Sequence, residues 1–192
     1  MKAGLAVFIL HSAFIILHSA SAQVTTEPTT APATSPDTKE FTSPELRFRL
    51  RYPADWIAPE HPVNDQVFSV RTPALSATDH RFGVVGLRLD NGPEGQPDRA
   101  TLLEISGSIA GYVFKNGGKK VTIKDDKIGV ANLPARRIRF LTDQPDGQVV
   151  TMYVVAVHKR TEYVFNIAAP AEMFDRILPD VNELLKSFDL IE

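Results

Sequence analysis

A ten-residue stretch at positions 149–158, VVTMYVVAVH, restricts the chain to a fold that covers a β-sheet on both faces. Side chains along a strand point alternately to opposite faces of the sheet. Both alternating sets are apolar here: Val149, Tyr153, Val155 and Val157 on one side, and Val150, Met152, Val154 and Ala156 on the other. A strand with one face in water shows polar residues at every second position instead. The stretch therefore predicts a central strand between two other layers.

Helical periodicity identifies two segments that can supply this cover. Apolar residues recur at helical spacing over 101–114, ahead of Gly117, and again over 174–188. Pro179 lies inside the second segment and has no N–H for the carbonyl of Asp175, so we expect a kinked helix or two abutting ones. Alternating or short apolar runs predict further strands at 46–52, 66–71, 82–89, 121–125, 134–141 and 161–168.

Two glycines stand out in the first predicted helix. Gly107 and Gly111 lie one turn apart on one side of it. Glycine lowers the stability of a helix, so a pair of them indicates that another part of the structure comes close. We expect that neighbour to be the sheet, and contact of a ligand with the backbone is the alternative.

The first 40 residues are predicted to lie outside the folded domain. Residues 1–22 combine a lysine, an apolar run and a small-x-small ending at Ala20–Ala22, which predicts a signal peptide cleaved before Gln23. An uncleaved anchor is the alternative, although two histidines and two serines interrupt the apolar run. Residues 23–40, rich in Thr, Pro and Ala, predict a disordered linker. The domain is then 41–192, and the location is periplasmic or secreted.

Composition excludes several functional classes. The chain has no cysteine, which excludes disulfides, thiolate metal sites, cysteine nucleophiles and a lipidated N-terminal cysteine. A formal net charge of −2 gives no overall attraction to nucleic acid. We therefore expect no nucleic-acid partner, and no membrane span once the signal peptide is removed.

Three short motifs together resemble the PsbP-like superfamily, in its bacterial exported branch. They are Tyr52-Pro53-Ala54-Asp55-Trp56, Asn132-Leu133-Pro134-Ala135-Arg136 and Leu184-Leu185-Lys186-Ser187-Phe188. The superfamily includes the photosystem II extrinsic subunit and a nuclear import factor that binds Ran, and the resemblance covers nearly all of 41–192. It implies an α+β fold with an antiparallel β-sheet sandwiched between helices (α/β/α), and a non-catalytic binding or adaptor function. The chain departs from the family at Asn132, where glycine is usual, and at the Lys159-Arg160 turn, which lacks the usual Gly or Asn.

The sequence offers little for catalysis or for metal binding. It contains no nucleophile elbow, phosphate-binding loop or dinucleotide fingerprint. His61, Asp65, Asp79 and His80 lie in two polar loops, 59–65 and 74–82, at spacings that match no known ligand pattern. A small exported hydrolase or metal-dependent enzyme built from these loops is the alternative function, and a small-ligand carrier is another. We predict instead a non-catalytic exported binding or adaptor domain, without metal or cofactor, whose partner is an envelope or extracellular protein.

Two groups of arginines form the candidate partner- or anion-binding surface. Arg47, Arg49 and Arg51 alternate with apolar residues and predict the charged side of an early strand. The predicted buried side of that strand is Leu46, Phe48, Leu50 and Tyr52. Arg137 and Arg139 share one face of a later strand. If the two strands were neighbours, the five arginines would form one basic stripe. A solvated strand face, or a sheet edge protected by charge, is the alternative.

Overall fold

The fold is seen in a computed structural model that describes residues 37–60, 62, 65–93 and 99–191, without the side chains of 99 and 125–129. The predicted signal peptide and the predicted linker up to residue 36 lie outside the described residues. The elements are β1 (Thr38–Ser43), β2 (Phe48–Pro53), β3 (Phe68–Arg71), β4 (Val84–Asn91), α1 (Arg99–Lys115), β5 (Lys119–Val130), β6 (Leu133–Gln144), β7 (Gly147–His158), β8 (Thr161–Pro170), α2 (Ala171–Ser187) and β9 (Asp189–Leu190).

A six-stranded antiparallel sheet, in the order β3-β4-β8-β7-β6-β5, forms the middle layer. β7 lies between β8 and β6. Its partners in register include Val155 with Val164 on one side and Val154 with Arg137 on the other. The prediction of a central strand from its two apolar faces is therefore confirmed, and so is the α+β fold class with helices on both sides of the sheet.

The two faces of this sheet have different covers. On one face, Ile138, Val155 and Val164 form a small core with Ile105 and Ile109 of α1. On the other face, α2 packs through an apolar stripe: Met173, Phe174, Ile177, Val181, Leu184 and Leu185. The layer that contains α2 also contains a second, three-stranded antiparallel sheet in the order β1-β2-β9. The main core is thus built between the large sheet and the layer of α2 and the small sheet.

Phe188 joins the parts of that second layer. It follows α2 directly and is buried. Its ring centre lies 5.4 Å from that of Phe48 in β2, 5.4 Å from Tyr163 and 5.3 Å from Phe165, both in β8. One side chain therefore contacts the small sheet and the large sheet at the C-terminal end of α2.

The early strand differs from its prediction at its start. Phe48, Leu50 and Tyr52 are buried as expected, but Leu46 is exposed and precedes β2. The reason is a turn that ends at Arg47, whose φ of 55° lies in the left-handed region and breaks the alternation. Arg47 is therefore a turn residue and not part of the strand's charged side.

Two other boundaries also differ. β1 begins at Thr38, inside the segment predicted to be a linker, because pairing with β2 along its whole length stabilises a strand whose own sequence has one large apolar residue, Phe41. α2 runs as one helix from Ala171 to Ser187, and the exposed Pro179 lies inside it. Of the two forms expected, a kinked helix or two abutting ones, the second is therefore excluded.

Asn132 and Lys159 take left-handed conformations in two turns between strands. Asn132, between β5 and β6, has a φ of 60°, and Lys159, between β7 and β8, has a φ of 56°. Asparagine tolerates this region better than most residues, but a lysine there is strained. The β7–β8 turn thus has a left-handed residue at Lys159, where glycine would be less strained.

Candidate functional site

The outward face of α1 carries an apolar strip that the fold does not cover. The strip, called the outer strip below, consists of Ala100, Leu103, Gly107, Gly111 and Phe114. Leu103 is 45% exposed and Phe114 is 74% exposed. Large apolar side chains that remain in water on one face of a helix are typical of an interaction surface. The same helix is also apolar on its inner face, so apolar residues lie on two sides of α1.

The two glycines belong to this strip, and the expectation that they pack on the sheet is wrong. Both are exposed, and a Cβ added to either meets no atom of the described residues within 4 Å. At about 100° per residue, they lie roughly on the opposite side of α1 from the buried Leu102 and Val113. Each glycine destabilises the helix by about 1 kcal/mol relative to alanine, without any compensating contact inside the described domain.

Opposite charges flank the outer strip on one side. Glu104 and Lys115 are both exposed and lie about 20° apart around the helix axis, next to Gly111. They are eleven positions apart along the chain, near the two ends of α1. The strip is therefore bordered by an acidic group towards its N-terminal end and a basic group towards its C-terminal end.

The five predicted arginines do not form one stripe. β2 and β6 belong to different sheets, so the condition for a combined basic surface is not met. The two groups contact opposite flanks of α2. The main chain of Arg51 exchanges two hydrogen bonds with the Ser187 hydroxyl, at 2.8 and 3.1 Å. Arg137 donates to Asn182, which lies about 140° from Ser187 around the axis of α2.

Several of these arginines already have acidic or aromatic neighbours. Arg49 donates two hydrogen bonds to one carboxylate oxygen of Asp189, at 3.1 and 2.8 Å. Arg139 donates to Asp175 at 3.1 Å, and its guanidinium lies 4.6 Å from the ring centre of Phe174. Arg51 is exposed, opposite Glu40 of β1. Contact of the five arginines with a partner or an anion stays a prediction.

The polar loops proposed for an enzyme are only partly described. His61 lies outside the described residues. Asp65 is exposed and forms no hydrogen bond or ion pair with Asp79 or His80 in the described part of the chain. Asp79 instead binds Arg81, whose Nη2 donates to it at 2.5 Å and also to Glu172 at 2.5 Å. The hydrogen bonds from Arg81 lower the pKa of Asp79 to about 2. Asp79 is thus held as a structural carboxylate by Arg81, which also links it to Glu172 in the first turn of α2.

Glu162, the second residue of β8, is a titratable residue that no sequence motif singled out. Burial and then the nearby Asp90 raise the pKa of Glu162 to about 7, and Arg88 acts in the opposite sense. Arg88 donates to Asp90 at 2.6 Å. Perturbed acids are common in functional sites, but none of the described side chains donates a hydrogen bond to Glu162. The burial of Glu162 follows from its pairing with Asp90 on β4 and Val157 on β7. The sequence alone does not reveal this pairing.

A row of polar groups lies on the α1 side of β3, β4 and β8. Ser69 and Asn166 are the register partners of Gly86. The side-chain amide of Gln66 occupies the space that a Cβ of Gly86 would take. Ser69 is 4% exposed, and its Oγ, like the side-chain oxygens of Gln66 and Asn166, has no hydrogen-bond partner among the described residues. Buried water commonly satisfies such atoms, so the row alone does not point to another ligand.

The described residues include neither a metal-binding group nor a membrane-spanning helix. No group of three or more His, Asp or Glu side chains there is arranged to hold a metal ion. None of the helices described is both long enough and apolar enough to cross a membrane.

Comparisons with known proteins identify the fold. No family model matches the chain, and no match was found among the curated proteins. Among solved structures, cyanobacterial PsbP from Synechocystis sp. PCC 6803 is similar over 83% of this chain and 94% of that one, with 9% identity and a TM-score of 0.54. The Ran-binding protein Mog1p of Saccharomyces cerevisiae is similar over 81% and 96%, with 11% identity and a TM-score of 0.54. LpqN of Mycobacterium tuberculosis, involved in cell envelope biogenesis, is similar over 81% and 92%, with 14% identity and a TM-score of 0.52.

Proposed function

From the PsbP-like fold, which the chain shares with Mog1p and LpqN, we propose a non-catalytic, exported binding domain that contacts a protein through the outer strip of α1. The observation that carries this proposal is the exposure of Leu103 and Phe114. Burial of apolar area is the main favourable term in protein association, and aromatic side chains are enriched at the centres of interfaces. Phe114 is the largest such group left in water among the described residues.

Two further observations support the remaining parts of the proposal. Mog1p is a Ran-binding protein, so one protein of this fold binds another protein. LpqN is involved in cell envelope biogenesis, which agrees with the export that the first 22 residues predict here. We propose that the mature chain acts in the periplasm or outside the cell, with an envelope or extracellular protein as its partner and without metal or cofactor.

Site-specific photocrosslinking in the producing cells tests the binding surface. A photoreactive amino acid replaces Phe114, and matched variants carry it at Glu183 on the exposed side of α2 and at Arg51. We expect a discrete adduct of higher mass from position 114 and none from position 183. An adduct from position 51 would support the predicted arginine surface instead. The proposal is wrong if position 114 gives no adduct, or only the same adducts as position 183.

The N-terminus of the protein recovered from cells tests export. Mass spectrometry of the periplasmic and secreted fractions should find a chain that begins at Gln23. Recovery of the chain from the cytoplasm with residues 1–22 still attached would contradict this part of the proposal, without affecting the result of the crosslinking experiment.

A further inference from the structure

We propose that the outer strip of α1 binds the outer strip of a second copy of this chain, with the two α1 helices antiparallel. This inference rests on the proposed function, because it names the occupant of the same surface. It follows from the positions of the apolar, glycine and charged residues along α1, which are arranged symmetrically about one point of the helix.

The symmetry is visible in the residue numbers. Gly107 and Gly111 are centred on position 109, and Leu103 and Phe114 are centred half a residue earlier. A two-fold axis through position 109 therefore places Gly107 of one copy opposite Gly111 of the other. It also places Phe114 opposite Leu103 within one residue, about 1.5 Å along the axis. Leu103 and Phe114 of one helix then each meet an apolar group on the other, as a two-fold interface requires.

The charges agree with the same axis and with the antiparallel direction. A two-fold axis perpendicular to two antiparallel helices places the same flank of each helix side by side. Glu104 and Lys115 lie on one flank of the strip and are centred half a residue after position 109. Glu104 of each copy therefore faces Lys115 of the other, which gives two ion pairs of opposite charge. A parallel pair of helices would not bring these residues together, because it places opposite flanks side by side.

The glycines gain a physical role in this arrangement. A position without Cβ allows two helix backbones to approach more closely than the usual 8–10 Å between axes. The two glycines face each other at the centre of the proposed contact, and in one copy alone no described residue fills the space beside them. A contact built on one helix from each copy is small compared with stable interfaces of ~1,200–2,000 Å². We therefore expect a reversible dimer with micromolar or weaker affinity.

Charge reversal is the decisive test, because only a self-complementary surface predicts its outcome. The dissociation constant is measured by analytical ultracentrifugation of the protein as its host produces it, at low salt. Glu104→Lys or Lys115→Glu alone places like charges opposite each other twice in the dimer. Each should weaken the association about tenfold, whereas the double variant Glu104→Lys/Lys115→Glu should restore it. High salt should reduce the loss of affinity in both single variants.

A second set of variants tests the close approach of the helices. Gly107→Ala should raise the thermal stability of the monomer, since alanine favours the helix, and yet weaken dimerisation. Ser108→Ala also favours the helix but lies beyond the charged flank, so it should leave dimerisation unchanged. Phe114→Ala should abolish the dimer without unfolding the chain.

Two results would overturn the inference. One is a protein that remains monomeric up to millimolar concentration. The other is a dimer that is insensitive to Phe114→Ala and to the charge reversals. An adduct at position 114 with a protein other than a second copy, from a chain that is monomeric in the ultracentrifuge, would reject the dimer and still support the proposed function. A monomeric chain without any adduct at position 114 would reject both.

Discussion

Replacing Phe188 by alanine should remove a large part of the stability of the domain. The side chain is 2% exposed, and its ring contacts Phe48, Tyr163 and Phe165. Truncation of a buried phenylalanine typically costs ~3–5 kcal/mol, and each aromatic pair adds ~0.5–1.5 kcal/mol beyond the buried area. The structure therefore indicates a loss near the upper end, about 5 kcal/mol, against a total of ~5–15 kcal/mol for a typical domain.

Urea unfolding followed by tryptophan fluorescence measures this loss directly. Trp56 is the only tryptophan and is buried, so its emission should move to longer wavelength when the domain unfolds. Phe114→Ala is the matched control, since it removes the same side chain from an exposed position and should change the free energy by less than ~0.5 kcal/mol. Both are measured at low protein concentration, so that self-association does not contribute. The assignment of Phe188 to the core would be refuted by a loss below ~1 kcal/mol, or by an equal loss from Phe114→Ala.

Three other variants test local features of the fold. Because burial raises the pKa of Glu162 from 4.5 to about 7, its ionised form destabilises the fold. The free energy of unfolding of Glu162→Gln should therefore rise relative to that of the wild type between pH 4.5 and 7, by up to about 3 kcal/mol. A difference in stability that does not change between pH 4 and 8 would contradict this. Lys159→Gly should raise the melting temperature, because glycine relieves the left-handed conformation by about 1 kcal/mol; a lower melting temperature would show that no strain is present. Thr72→Val should cost ~1–3 kcal/mol in urea unfolding, because the buried Thr72 hydroxyl accepts the Gly83 N–H at 2.8 Å; Thr72→Ser keeps this bond and should cost less.

The sequence was sufficient for the parts of the fold that depend on periodicity. Residues 149–158 have two apolar faces wherever they lie, and that property required covers on both sides of the sheet. The two helices were found for the same reason. The conformation of Arg47 could not be found in this way, because its left-handed φ depends on how the chain turns from β1 into β2. Leu46 consequently lies outside the alternation that the sequence predicted.

The candidate surface depended on tertiary contacts that no local pattern contains. Gly107 and Gly111 were correctly identified as unusual, but which side of α1 faces the sheet is decided by packing on residues such as Ile138 and Val155. The arginine stripe required a neighbour relation between β2 and β6, and strand order is set by long-range pairing. Glu162 was missed because its burial comes from strands distant in the sequence.

The small sheet joins strands from distant parts of the sequence, which limits how early in folding it can form. β2 pairs with β1 on one side and with β9, the last strand, on the other, and Arg49 and Asp189 are 140 positions apart. Contacts this distant in the sequence slow folding, because a long loop must close before they form. Until Phe188 and β9 are in place, one edge of β2 has no partner and the core is incomplete. A chain truncated before Phe188 should therefore remain incompletely folded and prone to aggregation.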